Sequence, residues 1–538
     1  MGIGGRHGTD IAMSNEQPSE EYYRSCPGEP GIKISDAVCK GRRRVSFHRC
    51  RNCPYNDDLK EKPPAPVPEN VRHLIEDEGR SVEEVFKAYD IRGVYPDPLS
   101  EELAWRIGHG ASQFLRSTLT GYDRSDPQTN RVIIGRDMRS SSPALHDALL
   151  EGARCSGTEV VDIGMVDTPQ VYFAINHLGT CGGIQVTASH NPSQYNGFKI
   201  SGQRGRPIGM DTGLKEIKQI AQHMAKHDTG TYAAMSEIDL TDEYRQFVRR
   251  FLRPPRPMKV VVDASNGMAG KWLPILFDDV SGLDIIPLNM EHEGVFAHNP
   301  NPLVEVNVQQ TCEAVLKQGV DFGLCLDGDA DRCVFVDELG QIIRSDLMTA
   351  LLARRFLGER PGSVVVYDLR SSRVCAEEIV KYGGQPRRER VGHAYMKKAL
   401  SENDGCFGGE LSGHFYFRDN WYCDSGMLTF VHVLNLMTEQ NEPLSKLVAP
   451  LRRYALSGER NFENDDKDSA IDALTEDYAD GEADFLDGLT VQYDHWWFNV
   501  RKSNTEPLLR LNLEADTEDL LEEKLSELTP RLGRPVEG

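Results

Sequence analysis

A serine followed by a histidine, an asparagine and a proline is the first feature of this chain whose residue types could do chemistry. Ser189 lies in the hexapeptide Thr-Ala-Ser-His-Asn-Pro at 187–192. The preceding run Gly-Gly-Ile-Gln-Val at 182–186 predicts a strand that would deliver the serine onto a short exposed loop. A serine hydroxyl is a weak nucleophile unless a base, a lowered pKa or a metal ion activates it. The remaining sequence has to supply that activator if Ser189 is to react.

Three alternating aspartates, far from Ser189 in the chain, could supply it. Asp327, Asp329 and Asp331 are separated by small residues in Leu-Asp-Gly-Asp-Ala-Asp-Arg at 326–332. Carboxylates at this spacing can wrap one hard cation with oxygen ligands. Three anions so close would repel one another unless a divalent ion or a basic partner compensated them. The motif predicts a metal site, and Mg²⁺ fits best because few protein ligands leave positions open for a phosphate oxygen.

A calcium-binding EF-hand loop is the alternative interpretation of these aspartates. Counted from Asp327, position 12 of such a loop is Glu338, which fits. Position 6, where the sharp turn needs glycine, is Arg332, and position 9 is the apolar Phe335. The run at 333–336, Cys-Val-Phe-Val, also predicts a strand rather than a ligand loop. These departures favour the magnesium interpretation.

Two further loops carry residue types suited to a phosphosugar. The loop at 501–507, Arg-Lys-Ser-Asn-Thr-Glu-Pro, could bind a phosphate dianion, with an ordinary turn as the alternative. Its candidate ligands are Arg501, Ser503, Asn504 and Thr505. In Gly-Gly-Glu-Leu-Ser-Gly-His at 408–414, Glu410 and Ser412 could grip vicinal sugar hydroxyls while the glycines allow close backbone approach. A hairpin turn is the alternative there.

Composition and charge narrow the class of protein. The chain has 538 residues, of which 39% are hydrophobic and 27% charged, as expected for a globular protein with several domains. Its formal net charge of −22 argues against a general nucleic-acid binder, because phosphate contacts need clustered Lys and Arg. No run of 18 apolar residues predicts a membrane span, and residues 1–15 lack the pattern of a secretory signal. We therefore expect a cytoplasmic protein without a membrane or nucleic-acid partner.

Short apolar runs alternate with amphipathic stretches along most of the chain, which predicts α/β units on mostly parallel sheets. This alternation of predicted strands and helices begins again near Phe86, Met258 and Ser363. After Arg453 it gives way to an acidic stretch followed by strands with alternating apolar and polar residues. The fold class is therefore α/β, with three successive α/β domains and a smaller C-terminal α+β domain. The predicted boundaries are 1–58 for an N-terminal extension, 59–80 for a Pro-rich linker, then 81–240, 241–345, 346–452 and 453–538 for domains I to IV.

The extension at 1–58 is rich in cysteine. Four of the twelve cysteines of the chain lie within it: Cys26, Cys39, Cys50 and Cys53. The Cys-x₂-Cys pair matches one half of a structural zinc site, with His48 as an alternative ligand, but the first two cysteines are too far apart to form a second such pair. Free thiols and a redox role are the alternatives. Several of the other eight cysteines, such as Cys325, lie in apolar runs and are expected to be small core residues.

Taken together, the four motifs resemble the α-D-phosphohexomutase family, most closely its phosphomannomutase/phosphoglucomutase branch. The resemblance covers about residues 82–530. It includes Phe-Lys-Ala-Tyr-Asp-Ile-Arg-Gly at 86–93, similar to the opening motif of the family, and Val-Gly-His at 391–393, similar to its third-domain loop. It implies mixed sheets and an active site in a central cleft.

The resemblance also implies an activity. Ser189 would carry a phosphoryl group, and Mg²⁺ would bridge its oxygen to the aspartates. The enzyme would interconvert hexose 1-phosphate and hexose 6-phosphate, of mannose and/or glucose, through a hexose 1,6-bisphosphate that also acts as activator. That bisphosphate must turn end for end, so the distal phosphate would rest on the loop at 501–507.

Roles for individual residues follow from the resemblance. Lys199 and His414 are candidates for proton transfer, and Arg92 and Arg332 for stabilising the transferring phosphoryl group. Tyr89 and His393 would lie near the substrate. His190 would orient or shield the serine, or simply pack, and is not expected to act as its base. Arg510 is a further substrate-binding candidate, with a structural role as the alternative.

Two departures bear on the choice of sugar. Arg390 stands where the family often has Lys, and Arg370 stands where some members have Lys; Arg keeps the charge but not the geometry. A phosphoglucosamine mutase is the nearest alternative function. A non-catalytic sugar-phosphate-binding regulator is the alternative from another class, although it would need no nucleophile. The oligomeric state, monomer or dimer, stays open.

Overall fold

The computed structural model describes residues 23–26, 33–35, 81–119, 129–224, 226, 232–503 and 508–536. The chain divides into two units, Met1–Glu76 and Asp77–Gly538. In the first, strands β1 (Tyr23–Ser25) and β2 (Lys33–Ser35) pair antiparallel, and Cys26 is buried. Cys39, Cys50 and Cys53 lie outside the described residues, so the zinc prediction for the extension stays a prediction. Among the described residues, no helix combines the length and apolar character needed to span a membrane.

Domain I has a six-stranded mixed sheet in the order β3-β7-β6-β4-β5-β8. The central strand β6 is buried along its whole length, because Gly-Gly-Ile-Gln-Val is covered by helices on both faces of the sheet. It pairs parallel with β4 and antiparallel with β7. The strands are β3 (Ile91–Val94), β4 (Arg131–Arg136), β5 (Glu159–Met165), β6 (Gly182–Val186), β7 (Tyr195–Gly202) and β8 (Met235–Glu237). The helices are α1 (Glu101–Ser117), α2 (Ser142–Cys155), α3 (Thr168–Leu178), α4 (Leu214–His223) and, leading into domain II, α5 (Thr241–Arg249).

Domain II repeats this plan in a five-stranded sheet of order β10-β9-β11-β12-β13. Strand β11 pairs parallel with β9 and antiparallel with β12, and both β11 and β12 are buried. The strands are β9 (Met258–Asp263), β10 (Leu283–Leu288), β11 (Phe322–Leu326), β12 (Cys333–Asp337) and β13 (Ile342–Ile343), and the helices are α6 (Ala269–Phe277) and α7 (Glu305–Gln318). The thiols of Cys325 and Cys333 are buried and free, as the sequence indicates.

Domain III has the order β15-β14-β16-β17-β18, again with one parallel and one antiparallel neighbour for the central strand β16. Its strands are β14 (Val364–Asp368), β15 (Gln385–Glu389), β16 (Phe407–Gly409), β17 (Phe415–Phe417) and β18 (Cys423–Asp424). Its helices are α8 (Ser345–Glu359), α9 (Val374–Lys381), α10 (His393–Glu402), α11 (Gly426–Gln440) and α12 (Leu444–Val448). The loops that carry Ser189, the aspartates and Glu410 therefore occupy the same place in three similar sheets, after a parallel strand and before an antiparallel one.

Domain IV is built differently, from an antiparallel seven-stranded sheet with two long helices. The strands are β19 (Ala455–Leu456), β20 (Arg460–Glu463), β21 (Glu482–Asp484), β22 (Leu489–Gln492), β23 (Trp496–Lys502), β24 (Leu508–Ala515) and β25 (Arg534–Val536). The helices are α13 (Lys467–Asp477) and α14 (Glu518–Leu532). The prediction of three α/β domains and a smaller C-terminal α+β domain is confirmed. The residue boundaries proposed from the sequence stay predictions.

The apolar cores follow the same division. One continuous core runs through the first three domains, from Ile133 to Leu451. A second core fills the outer side of domain I. Domain IV has a core of its own, whose buried members lie between Ala455 and Leu532. The first three domains are thus joined by shared hydrophobic burial, whereas domain IV buries its apolar side chains by itself.

Candidate functional site

Ser189 lies in a tight loop between β6 and β7, with its hydroxyl directed at domain II. Its φ angle is 50°, in the left-handed region that non-glycine residues rarely adopt. The Ser189 amide donates to Thr187 Oγ1 at 2.9 Å, and the Ser189 Oγ donates to Asp327 Oδ2 at 2.8 Å. His190 Nδ1 is farther from the hydroxyl, at 3.4 Å. Burial, then the charges of nearby cationic side chains, lowers the pKa of His190, so its ring is neutral near pH 7.

The three aspartates converge at this point. Asp327, Asp329 and Asp331 are all buried, and one carboxylate oxygen from each lies within 4.8 Å of the others. The loop that carries them turns at Ala330, whose φ is 59°. Among the described residues, Oδ1 of Asp329 and Oδ1 of Asp331 have no hydrogen-bond donor. Buried carboxylate oxygens without donors are costly, and a cation would satisfy them, so the residues present fit a metal ion.

The aspartates share a strained electrostatic environment. Burial, together with repulsion from Asp329 and Asp331, raises the pKa of Asp327 well above its usual range. Burial alone would also raise the pKa of Asp331, but Lys199, His414 and Arg332 hold it below its usual range. The cluster therefore depends on positive charge, which either a metal or the surrounding cations can supply.

Two cations already contact the triad. Lys199 Nζ donates to Asp329 Oδ2 at 2.6 Å and also to Asp331 Oδ2. Although burial works against it, these carboxylates raise the pKa of Lys199. Arg332 Nε lies 3.8 Å from Asp327 Oδ2 and 3.9 Å from Asp331 Oδ1. Lys199 therefore binds one oxygen of Asp329 and one of Asp331, and the Oδ1 atoms of the same two carboxylates are left for a metal ion.

Arg92 and Tyr89, from the opening motif, lie at different edges of this centre. Arg92 Nε donates to Asp90 Oδ2 at 2.8 Å, and its Nη1 donates to Asn191 Oδ1 in the serine loop. The Tyr89 hydroxyl donates to the Val391 carbonyl at 3.3 Å, and its ring lies 6.0 Å from that of His393. Domain I thus reaches the loop at 391–393 of domain III.

Domain III brings a histidine to the metal loop. His414 Nε2 accepts from Arg332 Nε at 3.2 Å and lies 3.6 Å from Asp331 Oδ1. On the other side, His414 Nδ1 is 2.9 Å from Ser412 Oγ and 3.3 Å from Glu410 Oε2. The His393 ring is 6.1 Å away from that of His414. The imidazole of His414 therefore connects the metal loop to the loop predicted to bind the sugar.

Glu410 is buried and already bound by the protein. Its Oε1 accepts from the Gly392 amide at 2.9 Å, and its Oε2 accepts from the Tyr416 hydroxyl at 2.5 Å. Burial raises the pKa of Glu410, but the His414 and Tyr416 hydrogen bonds outweigh it and bring the pKa down to about 2. A carboxylate oxygen can accept more than one hydrogen bond, so ionised Glu410 can still accept a sugar hydroxyl. Its partners hold the sugar loop against the loop at 391–393.

The phosphate loop begins at the end of β23, and its cations surround one carboxylate. Arg501 is buried, and its Nη2 donates to Glu459 Oε2 at 3.0 Å. Arg510 Nη1 donates to Glu459 Oε1 at 3.0 Å, and Arg370 Nη1 of domain III lies 3.5 Å from Glu459 Oε2. The Ser503 amide donates to the Leu508 carbonyl at 2.9 Å. Asn504 and Thr505 lie outside the described residues.

A polar chain joins this cluster to the sugar loop. Arg370 Nη2 donates to Asp368 Oδ2 at 2.9 Å, and the same oxygen accepts from the Leu411 amide at 2.7 Å. The Arg at 370, one of the two departures in the sequence, therefore links domain III to Glu459 in domain IV. At the other departure, the Arg390 guanidinium lies 4.5 Å from the centre of the Tyr395 ring.

Three residues of the site were not predicted. Thr168 Oγ1 donates to Asp329 Oδ2 at 2.5 Å, and its amide donates to the Asp329 carbonyl at 3.1 Å. Arg139 Nη2 donates to the Ser189 carbonyl of the serine loop at 2.8 Å. Glu459 joins the arginines of domains III and IV. Each acts through a partner more than 40 residues away, and no local motif signals such a contact.

Comparison with known proteins places this site in a family. Family models of phosphoglucomutase/phosphomannomutase match domain I at 83–228, domain II at 242–340, domain III at 344–454 and the C-terminal domain at 460–529. The chain is 39% identical over 451 residues to phosphohexose mutases of Xanthomonas campestris pv. campestris (strain B100), covering 82% of this chain and 98% of that protein. It is 38% identical over 456 residues to the phosphomannomutase of Vibrio cholerae serotype O1, covering 82% and 97%.

A solved structure agrees with these matches. The phosphoglucomutase/phosphomannomutase family protein of Burkholderia thailandensis superposes with a TM-score of 0.75 at 32% identity, covering 84% of this chain and 99% of that one. All four domains of this group are thus present in the chain. The chain belongs to the phosphoglucomutase/phosphomannomutase family and is a phosphohexomutase.

Proposed function

We propose that this phosphohexomutase interconverts the 1-phosphate and 6-phosphate of mannose and/or glucose, with Ser189 as the phosphoryl carrier and a hexose 1,6-bisphosphate as intermediate. The observation that carries the proposal is the 2.8 Å contact between Ser189 Oγ and Asp327 in a buried aspartate triad. A regulator that only bound sugar phosphates would need neither the hydroxyl nor the triad.

The metal proposed for the triad is Mg²⁺, held by Asp327, Asp329 and Asp331 together with an oxygen on Ser189. Bound there, it would neutralise charge on the transferring phosphoryl group. Oxygen ligands suit this hard cation, and the two oxygens without donors are available to it.

In the proposed transfer, one phosphorus–oxygen bond is exchanged for another, and residues around the triad handle the proton and the charge. The bond between phosphorus and Ser189 Oγ breaks as a bond forms between phosphorus and a hexose hydroxyl oxygen. Lys199 and His414, which both contact the triad, are the groups proposed to transfer that hydroxyl's proton. A divalent ion on the Oδ1 atoms of Asp329 and Asp331 would offset the carboxylate charge that raises the pKa of Lys199, which would favour loss of a proton from its ammonium group. Arg332, which lies beside Asp327, and Arg92, which donates to Asn191 of the serine loop, are the groups proposed to stabilise developing charge on the phosphoryl oxygens.

The distal phosphate would bind at the loop that follows β23, near Arg501 and Arg510. The sugar would lie between, with Glu410, Ser412 and His393 as its protein contacts. This arrangement lets the bisphosphate turn end for end and return its other phosphate to Ser189.

The test begins with the wild-type protein, incubated with glucose 1,6-bisphosphate and Mg²⁺ and analysed by mass spectrometry. We expect one phosphate on Ser189, none in Ser189→Ala, and normal phosphorylation in a control that changes an exposed serine of the same domain, Ser140→Ala. Coupled assays with mannose, glucose and glucosamine 1-phosphates then rank the sugars, and turnover should stop with EDTA and return with Mg²⁺. An unphosphorylated Ser189 with no turnover of any sugar would refute the proposal. Preference for glucosamine 1-phosphate would replace it with a phosphoglucosamine mutase.

Three further expectations stand as proposals beside this one. The protein is expected in the cytoplasm, where hexose phosphates are available to it. The Cys-rich extension is expected to bind zinc, which metal analysis of the full chain would measure. The chain is expected to act as a monomer or a dimer, which light scattering would distinguish.

A further inference from the structure

The Arg139 side chain is buried beneath the loop that carries Ser189. Only 1% of its surface is exposed. Its Nη2 donates to the carbonyls of Ser189 at 2.8 Å and Asn191 at 2.7 Å. Its Nη1 donates to the carbonyls of Pro192 at 2.7 Å and Tyr195 at 3.0 Å. One guanidinium group therefore binds four backbone oxygens of a single loop.

The guanidinium is itself held in place from two sides. Asp137, which is fully buried, accepts from Arg139 Nε at 3.1 Å and from the Arg139 amide at 3.0 Å. The Ser142 hydroxyl donates to the same carboxylate at 2.5 Å. From domain II, the ring of Phe296 lies 5.1 Å from the guanidinium carbon. The side chain thus has a fixed orientation before any substrate binds.

The loop needs such support because its conformation is unfavourable by itself. Ser189 is in the left-handed region, which non-glycine residues rarely adopt. The four carbonyl oxygens also converge on the buried site that the Arg139 guanidinium occupies. Their partial negative charges require a cation with several hydrogen-bond donors at that site. Arginine has five N–H groups in a planar fork, whereas lysine offers three from a single nitrogen. The arrangement therefore needs arginine rather than positive charge alone.

We propose that Arg139 is a positioning residue for phosphoryl transfer: by binding four carbonyls of the serine loop, it holds Ser189 Oγ in line with the aspartate triad. This inference rests on the proposed function, because it assumes that Ser189 carries the phosphoryl group. Arg139 contacts the backbone and not the substrate, so its loss changes the rate of transfer to and from the serine and leaves sugar binding largely intact.

The experiment is a single-turnover phosphorylation of Ser189 by glucose 1,6-bisphosphate in the full chain with Mg²⁺. It measures separately the rate of phosphorylation and its amplitude, which is the fraction of the protein that becomes phosphorylated. The test variant is Arg139→Lys. The matched control is Arg106→Lys, because Arg106 is also a buried arginine of domain I but pairs with Glu102 on the far helix α1. A misplacement near 1 Å costs about 100-fold in rate, so we expect a fall of that order at nearly full amplitude in Arg139→Lys. The KM for the hexose phosphate should stay within about threefold of the wild type, and the control should react normally.

A purely structural role gives a different result. Partial unfolding would lower the amplitude, while the folded fraction reacted at the wild-type rate, and that outcome overturns the inference. A wild-type rate in Arg139→Lys also overturns it, because charge alone would then suffice. If Arg139→Lys does not fold, Phe296→Leu decides: a slower rate at full amplitude supports the inference and an unchanged rate overturns it. If the wild-type Ser189 itself accepts no phosphate, the proposed function fails. If the wild type reacts and the variants match it, only the inference fails.

Discussion

Gly328, between the first two aspartates of the metal loop, has no room for a side chain. A Cβ atom built on it would lie 2.4 Å from the Ser189 carbonyl oxygen, whereas ordinary contacts begin at 3.4 Å. The φ angle of Gly328 is not positive, so an alanine meets no backbone penalty there. Gly328→Ala therefore tests a single quantity, the close approach of the metal loop to the serine loop.

The size of the effect follows from that distance. To accept the methyl group, the two loops must separate by about 1 Å, and a displacement of that size near reacting groups costs about 100-fold in rate. Overpacking at a rigid contact also costs about 1–3 kcal/mol of folding free energy. We expect Gly328→Ala to lose about two orders of magnitude in kcat, while the protein remains folded.

The assay measures kcat with glucose 1-phosphate in a coupled reaction, alongside thermal unfolding. Gly358→Ala is the matched control, because Gly358 is exposed near the end of α8 and a Cβ there has no neighbour within 4 Å. Alanine is the better helix former by about 1 kcal/mol, so this variant should be as active and slightly more stable. A kcat within about threefold of the wild type in Gly328→Ala would refute the view that the two loops must touch closely for transfer.

Three other changes test separate contacts. The hydrogen bond to Asp263 raises the pKa of His298, so His298→Gln should lower the folding free energy by about 1 kcal/mol. The loss should be greatest below pH 6.5 and shrink as pH rises through the folded-state pKa of His298. Urea unfolding at several pH values measures this, and a pH-independent difference would contradict it. Glu459→Gln removes the carboxylate that would compete with phosphate for three arginines, so inorganic phosphate should inhibit the variant about fivefold more strongly than the wild type. The control, Glu463→Gln, changes an exposed carboxylate and should leave the inhibition unchanged. Equal inhibition of both variants would count against this competition. Lys199→Ala removes a positive charge from the aspartate triad, so Mn²⁺ should bind about tenfold more tightly in calorimetry without substrate. The kcat of this variant should nevertheless fall. Weaker Mn²⁺ binding would show that the lysine does not compete with the metal.

The strands and the local motifs of the site were predictable from the sequence. The run at 182–186 and the run at 333–336 form strands as expected, because short runs of mostly small or apolar residues are typical of buried strands. The spacing of the three aspartates also predicts their convergence, since alternate residues on one turn are close by local geometry alone. The encounter of Ser189 with Asp327, 138 residues apart, followed from the family resemblance and not from local physics.

What the sequence did not predict depends on pairings made only in the folded chain. Arg139 in Gly-Arg-Asp-Met-Arg-Ser at 135–140 is indistinguishable from a solvated charge until the loop it binds is known. Glu459 and Arg370 lie in different domains, so no periodicity connects them. Glu410 was predicted to face a sugar, but the sequence gives no sign that Tyr416 and the Gly392 amide also bind it.

The separate core of domain IV has a consequence for how the molecule comes apart. Its buried apolar residues do not belong to the core shared by the first three domains, and ion pairs such as Arg370 with Glu459 and Arg373 with Glu514 join it to domain III. Shared hydrophobic burial couples elements into one cooperative unit, whereas these partly buried ion pairs join domain IV to domain III without a shared apolar core. We therefore expect domain IV to open as a separate foldon, whose amides should exchange with solvent through a lower-energy opening than those of β6 or β11.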